Sequence, residues 1–156
     1  MPMPQVNKYA QTYRKALSEN PDNIELNNSI AMCYLKLKLY DKALSAFELA
    51  IKENFDNSET FFYAAVCLLK GKKPFLAMRS EIDKIEEYIN AALMIEPRGI
   101  YYYFLAYIKY DYFNRKFFKT SPTYQEALFM ANQAGYSSFD SEQLFAILGV
   151  DRPSSF

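Results

Sequence analysis

The sequence predicts an all-α fold of about eight helices, stacked as antiparallel pairs. Three observations lead there. Apolar residues recur at helical spacing along most of the chain. No segment shows the short, alternating pattern of a strand that could compete. The pattern also repeats: Asn27, Ile30, Ala31 and Tyr34 are followed at one constant offset by Phe61, Ala64, Ala65 and Leu68. A unit of that length, about 34 residues, is one helical hairpin, which cannot bury its apolar face alone and must stack on a neighbour.

The stretch over 24–57 organises the rest. Its first helix carries Asn27, Ile30, Ala31 and Tyr34 on one face, and its second carries Ala43, Phe47, Ala50 and Ile51. Tyr40 and Asp41 mark the turn between them. The small residues Ala31, Ala43 and Ala50 let the backbones approach, and Tyr34, Tyr40 and Phe47 fill the space left. This stretch resembles a tetratricopeptide repeat, departing in its first helix, where the family's tryptophan and glycine are Asn27 and Ala31, and at its closing proline, here Phe55. The resemblance implies a right-handed superhelical array, an α-solenoid, in a single domain over 1–156.

In chain order, 4–18 reads as a lone helix striped by Tyr9, Tyr13, Ala16 and Leu17 and stopped by Asn20-Pro21-Asp22. Tyr13, Ala16 and Pro21 precede Phe47, Ala50 and Phe55 by the same repeat offset, so it resembles the second helix of a repeat and would cap the first full pair. Repeat 1 spans 24–57, with Asp22 or Asn23 as its N-cap. Repeat 2 spans 58–99. Its first helix runs to about Lys70 and Gly71 offers a left-handed end; its second is striped by Ile85, Ile89, Ala92 and Leu93 and closed by Pro97. The interval from Phe55 to Pro97 exceeds the plain repeat length by eight. Repeat 3 spans 100–139, with Tyr103, Ala106, Tyr107 and Tyr110 on its packing face and a first helix reaching about Phe118. Ser121 would cap its second helix with Pro122 in the first turn. The interval from Ala92 to Ala134 is enlarged by the same amount. Over 140–149, Asp140 to Gln143 resembles a capping box opening a short helix, Leu144 to Leu148, that would hide the last face. The tail after Gly149 reads as loose.

Composition excludes several functions. Lys plus Arg and Asp plus Glu are 18 each, so no broad basic footprint suits nucleic acid. Two small basic groups, Lys70, Lys72 and Lys73, then Arg115, Lys116 and Lys119, read as solvated helix ends. The first residues lack a signal peptide's apolar core and no run is long enough to span a bilayer, so we expect a cytoplasmic protein without a membrane partner. The sequence has no histidine, which removes the usual general base and the commonest metal ligand. Cys33 and Cys67, at equivalent places in successive repeats, read as structural thiols. Glu81, Asp83, Glu86 and Glu87 read as the polar face of their helix, and Lys70-Gly71-Lys72-Lys73 lacks the spacing of a phosphate loop. No catalytic residue, metal or cofactor is expected.

Function then rests on a surface. In the resembled family the concave wall comes from the first helix of each pair. Here it holds Glu25, Asn28, Met32 and Leu35; Glu59, Phe62, Val66 and Leu69; and Tyr101, Phe104, Ile108 and Asp111. Met32, Phe62, Val66, Phe104 and Ile108 would make an apolar patch too large to leave bare. The expected partner site is Asn28, Met32, Phe62, Val66, Leu69, Tyr101, Phe104 and Ile108, a groove in an adaptor or scaffold receiving a protein or peptide segment. The competing reading folds the enlarged helices or a terminal segment over this wall. The carboxylate-holding mode of tetratricopeptide co-chaperones is rejected, because its places hold Asn28, Met32, Tyr63, Tyr101 and Leu105, without Lys or Arg. Alternatives are a homodimer through the aromatic helix over 100–118, and a small-molecule or lipid binder in a cavity between enlarged helices.

Overall fold

A computed structural model describes residues 24–156 and, on a helical segment before them, Lys8, Gln11, Thr12 and Lys15. The capping role expected of 4–18 and the N-cap at Asp22 or Asn23 lie outside the described residues. Among the described residues seven α-helices occur and no strand: α1 (Ile24–Lys36), α2 (Tyr40–Glu53), α3 (Ser58–Leu68), α4 (Arg79–Ile95), α5 (Gly99–Ile108), α6 (Tyr124–Ala134) and α7 (Ser138–Leu148). They stack as an α-solenoid of helix pairs, α1 with α2, α3 with α4 and α5 with α6, while α7 lies against α3 and α5.

The alanine register explains the close stacking. Ala31, Ala43, Ala50, Ala64, Ala65, Ala92, Ala127 and Ala131 are all buried, so each pair meets with little side chain between backbones. The first turn falls at Leu37 to Leu39, slightly before Tyr40, which instead opens α2. Lys38 there and Lys70 beside Gly71 take left-handed φ values of 60° and 52°. Tyr40 then acts as a strut: its hydroxyl donates to the Ile147 carbonyl over 2.9 Å, tying the first turn to α7.

The eight residues added to repeat 2 form a 3-10 turn, Pro74–Leu76, and lengthen α4 to 17 residues. In repeat 3, α5 passes into a π-helical turn, Lys109–Asn114, and ends there, short of the expected Phe118. The α6 start also differs from expectation. Thr123, not Ser121, is the N-cap, with its hydroxyl accepting from the Glu126 N–H at 3.2 Å and the Glu126 carboxylate accepting from the Thr123 N–H at 3.1 Å. Pro122 therefore precedes the helix, joined by a cis bond to Ser121. Ser137 and Asp140 make the same reciprocal pair at 3.0 and 3.1 Å, which starts α7 well before Leu144.

The polar face of α4 is less solvated than its sequence suggests. Glu86 reaches over to Lys109, which is buried on the π turn and also donates to Thr120 Oγ1 at 2.7 Å. Burial acts on the thiols and phenols too. The Cys67 thiol is fully buried and lifted from the usual 9.0 to about 12 by desolvation, and Tyr103 is lifted to about 12 mainly by the same cause. Both are neutral acids whose folded pKa exceeds the unfolded value. Their stabilisation is complete below the unfolded value and is lost as pH climbs toward the folded one, because only the unfolded chain releases its proton. We expect urea midpoints to fall steadily above about pH 9, with Cys67 contributing about 1.4 kcal/mol per pH unit. Cys67→Ala should flatten that slope; an unchanged slope would mean the thiol is not the group being titrated.

Candidate functional site

The concave wall is where sequence placed the partner site, and the structure shows it covered. Phe62, Val66, Leu69, Tyr101, Phe104 and Ile108 are all buried, together with Leu35. Asn28 and Met32 remain half-buried at one edge. Asp111, expected on the wall's polar edge, is buried and held by Arg115 at 2.8 Å. The expectation of a bare apolar groove is thus corrected.

The cover is α7. Its residues Leu144, Phe145 and Leu148 are buried in the same core as Phe62, Phe104 and Tyr107. The Phe145 ring meets Tyr107 edge-on at 5.0 Å between centroids and Tyr103 at 6.2 Å. The tail also closes back, with Phe156 5.4 Å from both Tyr103 and Tyr110, so it is packed where looseness was expected. The aromatic helix over 100–118 is spent mostly inside the chain: Tyr101, Tyr103, Tyr107, Tyr112 and Phe113 are all buried.

What stays open is a cleft where the start of α7 diverges from α1 and α3. It has a volume of about 250 Å³ and is lined in part by Met32, Lys36, Tyr63, Phe139, Gln143 and Ile147. Its floor is the edge of the expected site. Phe62 packs against Tyr101 at 4.8 Å and Phe104 at 5.6 Å, and Tyr63 sits 5.3 Å from Phe62. Phe139, on the first turn of α7, forms the rim and is 64% exposed.

Polar groups on this floor are satisfied by one another. The Tyr101 hydroxyl lies 2.8 Å from Ser58 Oγ and accepts from the Arg98 guanidinium at 3.2 Å. Arg98 also pairs with Glu59 at 3.1 Å, and Ser58 donates to Glu96 at 3.0 Å. The Arg98 cation is therefore engaged rather than waiting for an anion. Burial raises the Tyr63 phenol above its ordinary value, with Glu59 adding to the effect, so it enters chemistry at neutral pH only as a hydrogen-bonding group. Among the described residues no cluster of His, Cys, Asp and Glu could hold a metal ion, and no helix is long and apolar enough to cross a membrane.

Sequence reasoning missed Lys36, Phe139, Gln143 and Ile147. The signal for three of them was the Ser137-to-Asp140 pairing, which sets where α7 begins.

A family model described as tetratricopeptide repeat matches residues 10–70. No curated protein matches. Among solved structures the chain is similar to "MamA MSR-1 C2", with a TM-score of 0.59 and 19% identity, over 89% of this chain and 69% of that one. At that identity the likeness speaks for the fold.

Proposed function

We propose, from the tetratricopeptide-repeat match over residues 10–70 and the stacked helix pairs, that the chain works as a non-catalytic interaction module whose partner enters the cleft between α1, α3 and the start of α7. The reading keeps the array boundaries at 24–57, 58–99 and 100–139, flanked by caps over 4–18 and 140–149, and a cytoplasmic setting. The observation that carries it is the cleft itself. It is the remainder of the concave wall, with apolar Met32, Phe139 and Ile147 beside polar Lys36 and Gln143. That mixture suits a short protein segment placing one or two apolar side chains inward while its backbone meets polar groups at the rim. The full set of eight expected residues is not available, because six of them are core.

A small molecule is the weaker occupant of this cleft. About 250 Å³ lies under the roughly 300–1,000 Å³ of ordinary ligand pockets. Self-assembly through the aromatic segment over 100–118 loses most of its surface to the chain's own core, keeping only the rings of Phe117 and Phe118 exposed.

The test uses Met32→Glu with Phe139→Ser, since both side chains are partly exposed at the cleft and neither anchors the core. Thermal melting should stay near that of the parent chain, while partners captured from native lysate should be lost. Capture of the same partners by the variant would remove the cleft from the account. Phe62→Ser or Phe104→Ser cannot serve here, because either would collapse core packing.

A further inference from the structure

The structure brings the two small basic groups of the sequence together. The 3-10 turn Pro74–Leu76 packs on the π turn Lys109–Asn114, and the Phe75 N–H donates to Asp111 Oδ2 at 2.9 Å. The Phe75 ring then seats the Arg115 guanidinium at 4.3 Å and the Lys116 ammonium at 4.9 Å from its centroid. Both enlargements of the repeat array thus meet at one end of the molecule, the end where α3 and α5 finish.

Charge at this end is unbalanced. Lys70, Lys72, Arg79 and Arg115 are paired with Asp41, Glu81, Asp83 and Asp111. Lys73, Lys116 and Lys119 have no carboxylate partner among the described residues. A shallow depression beside Lys73 and Leu76 adds Lys38 and one acid, Asp151.

Apolar side chains project from the same end. Leu76 is 67% exposed, Met78 65%, Phe117 95% and Phe118 48%. Phe117 adopts φ 61°, a region bulky residues avoid, and its turn is fixed by N–H bonds from Phe117 to Asn114 O and from Phe118 to Phe113 O. The result is a set of prongs rather than a groove. Water gains nothing from such side chains, and a peptide would find no concavity around them.

We propose that this end docks reversibly on an anionic phospholipid surface, with Phe117, Phe118, Leu76 and Met78 entering the headgroup–acyl boundary and Lys73, Lys116 and Lys119 meeting lipid phosphates. Charge complementarity selects this occupant: apolar prongs ringed by unpaired cations match a negative, deformable apolar surface. Lysine stems can lie along the acyl boundary with their ammonium groups among the phosphates. Nucleic acid would use the cations and leave the prongs wet. The sequence-based expectation of no membrane partner came from the lack of a spanning segment, which does not bear on peripheral docking.

The experiment is co-sedimentation of the full chain with phosphatidylcholine vesicles, with and without phosphatidylserine. The chain should pellet with the phosphatidylserine vesicles and stay soluble with phosphatidylcholine alone, and added salt should weaken binding. Phe117→Ser with Phe118→Ser should lower the partition coefficient by tenfold or more, and Lys116→Gln and Lys119→Gln by about fivefold each. Phe117, Phe118 and Lys119 are exposed and the half-buried Lys116 lies on ring faces at the surface, so melting temperatures should hold within a few degrees. Failure of the parent chain to bind phosphatidylserine vesicles would overturn the proposal, as would binding indifferent to these substitutions. Self-association in light scattering that disappears with the Phe117 variant, without vesicle binding, would assign the end to a second copy instead. The cleft variant Met32→Glu should bind vesicles normally, which separates this outcome from that of the cleft.

Discussion

A chain ending after Ser137 is expected to lose cooperative folding. The helix removed with it carries Leu144, Phe145 and Leu148, all buried against α3 and α5. Burying such side chains stabilises by about 1.5–3 kcal/mol each, so three are worth roughly 5–9 kcal/mol, comparable with the whole stability of a domain this size. The tail ring of Phe156 adds to that. Magnitude decides between two readings of α7. A lid poised to leave would be held by a few kcal/mol, whereas this helix is part of the core. The shortened chain should show broad melting and bind a hydrophobic dye at its bared aromatic wall. A sharp transition at the parent temperature would mean that α7 merely rests on the array.

Gly99→Ala is expected to be almost as damaging, for a local reason. Gly99 opens α5 where it meets the end of α6. A Cβ there would lie 2.1 Å from the Gly135 carbonyl oxygen and 2.9 Å from that of Ala131. Both obstacles are backbone, so no side chain can swing away, and the α5–α6 pair would have to separate. We expect a loss of about 3 kcal/mol, near the upper end for overpacking, and a melting temperature lower by about 10 °C. Gly135→Ala is the informative control. Its Cβ would meet nothing, but φ is 88°, so only conformational strain of about 1–2 kcal/mol applies. Equal losses in the two variants would show that the crossing is looser than drawn.

The fold was legible because two periodicities agree. The helical stripe and the repeat register both place Ala31, Ala64 and Ala65 at contact positions, and all three are buried. Helix starts were less legible where several capping residues crowd together. Ser121 and Thr123 both qualify as caps, as do Ser137 and Asp140, and the choice falls to the residue with an acid three positions on. Glu126 and Asp140 supply that acid.

The misplaced start had a larger consequence at the site. A helix over Leu144 to Leu148 makes little more than one turn and could not cover three stacked helices. The true helix has 11 residues, about 16 Å at 1.5 Å each, enough to cross from α3 to α5. Whether a wall of Phe62, Phe104 and Ile108 stays open depends on that length and on the direction of a short loop after Gly135. Neither leaves a periodic trace in the sequence. The exposed prongs were hidden for a different reason: Lys70 to Lys73 and Arg115 to Lys119 lie far apart in the chain, and only the packing of two turns joins them.

The covered wall requires that α7 lie in it in solution. Nuclear Overhauser contacts between the Phe145 ring and the rings of Tyr107 and Tyr103 test it most directly. With centroids 5.0 and 6.2 Å apart, strong cross-peaks and ring-shifted Phe145 resonances are predicted. A folded chain in which Phe145 shows no such cross-peaks and random-coil shifts would contradict the covered wall.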